Sequence, residues 1–129
     1  MTVGLSTTNS ANAILNGFRN VSFAVSGTWV QLHTGDPGTG ASNVSAGSST
    51  RSQVTFSAAS GGAIALTGTQ PSWVNGGTSE SVTHISVWDS ASGSPNFLWS
   101  AQLTSSKSWA SGDTLTLTSC GLSLSPLAS

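Results

Sequence analysis

Charge is what this sequence has least of. Three of its 129 residues are Lys or Arg and four are Asp or Glu, so charged side chains make up 5% and the formal net charge is -1, against roughly a quarter charged in an average globular protein. With Arg19, Arg51 and Lys107 as the only basic residues, no electrostatic footprint exists for a phosphate backbone or an anionic membrane, and both are excluded as partners. Cysteine is nearly absent too. Cys120 stands alone between Leu117 and Leu122, which rules out an intrachain disulfide and reads as a small, inert, buried residue in a strand. No window approaches the ~18 consecutive apolar residues of a membrane span. The start, Met1-Thr2-Val3-Gly4, carries no basic segment leading into an apolar run, so the expectation is a soluble protein made in a cytoplasm without a secretion signal.

What remains is Ser, Thr, Gly and Asn in the polar positions, with 36% apolar residues and five Trp. That is enough apolar material for a core, and low charge with many aromatics is the reverse of a disordered composition. The length fits one domain of roughly 100–150 residues, so residues 1–129 are read as a single domain with 1–20 as a helical anchor segment.

Periodicity divides the chain early. Leu5, Ala11, Ile14, Leu15 and Phe18 recur at three- and four-residue spacing behind the hydroxyls of Ser6, Thr7 and Thr8, which predicts a short amphipathic helix over residues 7–18, with Gly17 near its end. Alternation takes over afterwards. Strand-like segments are expected at 21–25, 28–34, 51–56, 63–69, 81–89, 97–104, 114–118 and 122–124, with an edge or crossing segment at 70–74. Turn chemistry separates them at Gly35-Asp36-Pro37-Gly38, Gly61-Gly62 and Asn75-Gly76-Gly77, where Asp bonds its own backbone, Pro presets φ and Gly permits positive φ. The Gly/Ser/Asn-rich stretch 39–50 reads as a mobile surface loop. Many short strands at this spacing predict an all-β fold, an antiparallel β-sandwich of jelly-roll-like character with one short N-terminal α-helix.

Two strands are apolar on both faces. Val30 and Leu32 alternate with Trp29, Gln31 and His33, and Ile85 and Val87 alternate with His84 and Trp88. The Trp29/His33/His84/Trp88 face therefore needs a cover, either the N-terminal helix or a neighbouring subunit.

Chemistry is hard to find. His33, His84, Asp36, Asp89 and Asp113 could contribute to a hydrolytic triad, but no Gly-x-Ser-x-Gly elbow precedes a helix. A Ca²⁺ site shared by Asp36 and Asp89 is outweighed by turn-shaping roles for both. Arg51 is expected to pair with Asp36 or Asp89 and pin the Gly35-Asp36-Pro37 turn, and His84 to be a hydrogen-bonded core residue. Catalytic residues, metals and cofactors are all expected to be none. Trp73 and Trp109, nearest to turns, are the candidates for exposure as glycan-stacking platforms, although packing is the more frequent use of Trp.

The segments Leu5-Ser6, Ala11-Asn12-Ala13-Ile14-Leu15-Asn16, Trp29-Val30-Gln31-Leu32-His33-Thr34-Gly35-Asp36-Pro37-Gly38 and Asn43-Val44-Ser45 occur in this order. They are followed by Val82-Thr83-His84-Ile85-Ser86-Val87-Trp88-Asp89, Leu98-Trp99-Ser100-Ala101-Gln102-Leu103-Thr104, Ser106-Lys107 and Gly112-Asp113-Thr114-Leu115. Together they resemble a family of small virion proteins of tailed phages, tail-fibre-like or minor structural proteins. The resemblance implies a non-enzymatic virion component, on the tail or as a head decoration, whose partners are other virion proteins and further copies of itself. By analogy with phage appendages the copies would form a trimer. A receptor- or glycan-binding module on the host-facing surface is the alternative.

Overall fold

The computed structural model describes residues 2–128. Eight strands form: β1 Thr28–His33, β2 Ser52–Phe56, β3 Ala63–Thr67, β4 Ser72–Val74, β5 Glu80–Trp88, β6 Phe97–Trp109, β7 Thr114–Thr116 and β8 Gly121–Ser123. Six of them make one antiparallel sheet in the order β6-β5-β1-β2-β3-β8, and β4 pairs with β7 as a separate ribbon. The sheet curls, and the fold is the all-β architecture expected of a β-sandwich, with helix only near the N-terminus. Among the described residues no helix is long and apolar enough to cross a membrane.

Strand alternation explains where the core sits. The β1–β5 register places Val30 opposite Val87 and Leu32 opposite Ile85, so these four share one face. Val54, Phe56, Ile64, Leu66, Trp99 and Leu122 continue that cluster, and the β4–β7 ribbon closes over it with Trp73 and Leu115. The β5–β6 ladder runs with a large bulge, because Val82 pairs with Lys107 while His84 pairs with Gln102. Residues 103–106 are thereby left outside the pairing, which bends the long strand.

The N-terminal helix occupies its expected span in three short pieces: a π-turn Thr7–Ala11, the α-helix α1 Asn12–Asn16 and a 3₁₀ turn Gly17–Arg19. Ser6 caps the start by accepting from the Asn9 N–H at 3.1 Å. The stop is Asn20, left-handed at φ 62°, rather than Gly17, which keeps helical angles; Asn tolerates that region better than most residues. The segment is tied to one edge of the sheet. Ser6 N–H donates to the Leu98 carbonyl (2.8 Å), Ser100 N–H to Gly4 (2.9 Å), the Ser10 hydroxyl to Leu98 (2.6 Å) and the Asn9 amide to Phe97 (3.0 Å).

Residues 21–25 alternate like a strand but have no ladder partner, and Val21, Phe23 and Val25 stand exposed. Residues 39–50 lie mostly at the surface, as expected, but are fastened to the sheet: Gly40, Ser45 and Gly47 are buried, the Thr34 N–H donates to Asn43 (2.8 Å) and the Ser45 N–H to Leu32 (3.0 Å). Cys120 lies in the connection before β8 rather than within a strand, and burial pushes its thiol up to about 11.

A sealed polar face and an open apolar segment

Register brings the four residues of the second face together, pairing Trp29 with Trp88 and His33 with His84. His33 and Trp88 are buried, while Trp29 and His84 remain half-buried. The segment following the Asp36 turn folds over this face, and its Gly40 packs so closely that a Cβ there would lie 2.4 Å from the Trp88 ring. Beneath it runs a relay of buried polar groups. Since the Ser42 carbonyl can only accept, His33 Nδ1 is the donor to it (2.8 Å), which makes Nε2 the acceptor from the Ser86 hydroxyl (2.7 Å). Trp88 Nε1 in turn donates to Ser86 Oγ at 2.7 Å. Burial above all holds the His33 pKa below 6.5, with repulsion from His84 and Arg51 adding to it and the Ser42 and Asn43 carbonyls opposing. A His and a Ser do meet here, but both are sealed from solvent, and the other imidazole nitrogen rests on a carbonyl instead of a carboxylate. The arrangement fastens a loop. His84, half-buried, shares its Nδ1 with the Thr83 hydroxyl at 2.7 Å.

The turn residues are engaged locally. Asp36 Oδ1 accepts from the Gly38 N–H (2.8 Å), its carbonyl accepts from the Asn43 amide (2.8 Å), and Pro37 is fully buried with its carbonyl accepting from Gly40 (2.8 Å). Asp89 uses both carboxylate oxygens on Asn96, taking its backbone N–H at 2.7 Å and its side-chain amide at 2.8 Å. Arg51 is therefore not the partner of either acid. Its guanidinium lies over the Trp88 ring, 4.2 Å from the centroid, and donates to the Ala91 carbonyl at 3.4 Å; a weakly hydrated planar cation stacks readily on indole. Among the described residues no three His, Cys, Asp or Glu side chains converge on a common point.

Trp73 and Trp109 overturn the expectation of exposed platforms, at 3% and 4% exposure. Proximity to turns misled, because the β4–β7 ribbon folds back onto the sheet and carries Trp73 inward. Its indole N–H donates to Thr50 at 2.9 Å and that of Trp109 to Glu80 at 3.1 Å.

Glu80, the only Glu in the chain, was overlooked by sequence reasoning. Its carboxylate accepts from the Ser45 hydroxyl, the Ala46 and Gly47 N–H groups (3.1 Å each) and Trp109. Desolvation pushes the Glu80 pKa up, yet the bonds from Ser45, Trp109, Gly47 and Ala46 outweigh it and leave the pKa below 4.5. A single Glu among only four acidic residues was the available signal. Buried Asn75 completes this node, holding Thr78 and Trp109 carbonyls through its amide and the Gly77 N–H through its oxygen.

The N-terminal side is different. Leu15 is 64% exposed and Phe18 91%, and Val21, Phe23 and Val25 follow them along the chain. Phe23 and Val25 also wall a cavity of about 200 Å³, together with Leu5, Ile14, Phe56, Ile64, Trp99 and Leu122. Of the nine large apolar side chains exposed among the described residues, five fall within residues 15–25, the others being Val3, Val74, Leu124 and Leu127. An all-β module that spends its ionisable groups on its own loops and concentrates bare apolar groups in this way has the makings of an assembly component. A family model described as podophage GP4 fiber I protein gp80 matches residues 4–125. The chain belongs to that family of phage fibre proteins, whose place is the virion. A search of curated proteins finds no match.

Proposed function

We propose that this protein is a non-enzymatic structural subunit of a bacteriophage tail fibre, attached to other virion proteins and to further copies of itself through its N-terminal segment. The observation that carries the reading is the exposure of Leu15 and Phe18 on a helical segment that is itself bonded to the sheet edge at Gly4, Ser6, Asn9 and Ser10. An apolar surface held rigidly in place suits docking, since little ordering entropy remains to be lost on binding. The family description favours the fibre over a head decoration. In this reading His33 and Trp88, buried under the chain's own loop, serve internal packing together with the half-buried Trp29 and His84, and Asp36, Pro37 and Asp89 serve to shape turns.

Purified virions analysed by mass spectrometry should contain the protein in several copies per particle, and its absence would overturn the proposal. A phage carrying Leu15→Asp and Phe18→Asp together should incorporate at least about tenfold less of it, given that apolar anchors dominate interfaces. Normal incorporation would move the attachment surface elsewhere.

A further inference from the structure

We propose that Phe18 of one copy seats in the apolar cavity of a second copy, between that copy's N-terminal helical segment and its sheet. This inference rests on the reading of the N-terminal segment as the assembly surface and names its partner.

Both halves of the contact are present in one chain. Phe18 projects at 91% exposure beside a cavity it does not line. The cavity, about 200 Å³ and walled by Leu5, Ile14, Phe56, Ile64, Trp99 and Leu122, is of the size that an aromatic side chain fills. The wall is apolar almost throughout, and Phe23 and Val25 of the same copy complete it.

Area and charge both favour a second copy. Leu15, Phe18, Val21, Phe23 and Val25 are exposed together and present on the order of 500 Å² of apolar surface, if a fully exposed aromatic counts ~150–250 Å². That lies near the upper end of what a monomer leaves bare, ~300–600 Å², and supplies over half of the ~800 Å² per partner in a standard interface. The first 35 residues contain no acid and one base, Arg19, whose guanidinium is tied to the Asn16 side chain at 3.2 Å. Like surfaces therefore meet without charge repulsion, and no charge is offered by which a foreign partner would be selected. Reciprocal exchange of Phe18 gives a dimer, and a head-to-tail exchange that closes gives a ring such as a trimer.

Sedimentation of the purified full-length chain up to about 100 μM should show a discrete oligomer. Phe18→Asp, at an exposed position, should weaken it at least about tenfold with an unchanged urea midpoint at a dilution where both chains are monomeric. A photo-crosslinking phenylalanine analogue at position 18, in an equal mixture of ¹⁴N and ¹⁵N copies, should yield mixed-isotope crosslinks to peptides containing Ile64 or Leu122. A chain that stays monomeric, or an oligomer indifferent to Phe18→Asp, overturns the inference. If the purified chain is monomeric while the Leu15/Phe18 variant still loses incorporation into virions, the assembly surface stands and its partner is a different virion protein. If incorporation is also unaffected, both readings fall.

Discussion

Strands β1 and β5 back onto a polar, loop-covered face, while the N-terminal segment a short distance away leaves large apolar side chains in solvent. On the first side Trp88, Ser86 and His33 form a chain of hydrogen bonds that ends on the Ser42 carbonyl, with Gly40 and Ser45 buried in the covering loop. On the second side the backbone is pinned to Phe97, Leu98 and Ser100, but Leu15 and Phe18 cover nothing. The difference teaches that Trp and His clusters in a strand pattern do not mark a docking face when a long loop of the same chain can pair with the strand end and close over them. Where the chain has spent no such loop, the apolar groups remain available for partners.

Four experiments would break or sharpen this contrast. The largest effect should come from Gly40→Ala. Gly40 has φ +103° and its Cβ would meet Trp88 at 2.4 Å and Phe97 at 2.9 Å, so strain and overpacking together should cost about 2–4 kcal/mol in urea unfolding. A neutral result would mean that the loop does not seal the face. Ser86→Ala comes next, at about 2–3 kcal/mol, because it leaves both the Trp88 N–H and His33 Nε2 unpaired in the interior; calorimetry would measure it.

Acid should act on the sealed side in two stages. His33 has a folded pKa below its ordinary 6.5, so the unfolded chain takes up the proton first, and its contribution is complete above about 6.5 and declines as pH falls from there. Glu80 has a folded pKa below 4.5; its contribution is present above that value and is lost as pH falls through the folded pKa. Glu80→Gln should cost about 1–2 kcal/mol at neutral pH and remove the second stage of a pH–stability profile while keeping the first. Smallest of all, Leu15→Ser with Phe18→Ser should change the stability of the isolated chain by no more than about 0.5 kcal/mol, as for most surface substitutions, and reduce association. A large loss of stability would show these side chains to be part of the core.

Local rules made most of the fold legible. Turn residues and alternation placed β1, the β2–Gly61-Gly62–β3 hairpin and β5 to within a few residues, and the helical span 7–18 emerged from spacing alone. What stayed hidden depends on contacts remote in sequence. Residues 21–25 have the pattern of a strand, but pattern supplies no partner edge, and here none is at hand. Residues 39–50 are polar and Gly-rich, which reads as mobility, yet small residues are what allow a loop to lie flat against Trp88 and leave room for the Asn75 and Glu80 side chains beside Gly47. Trp73 and Trp109 sit beside turns in sequence and inside the core in space, because the β4–β7 ribbon is folded onto the sheet. The site residues were thus recognisable by type, and their partners were not: Arg51 found an indole and a carbonyl, and the carboxylate that matters most for the loop was Glu80.

Hydrogen exchange measured on the free chain and again on the assembled phage particle tests the contrast most directly. The account expects residues 7–25 to gain protection in the particle while residues 36–47, already sealed, exchange alike in both. Added protection over 36–47 with none over 7–25 would contradict it.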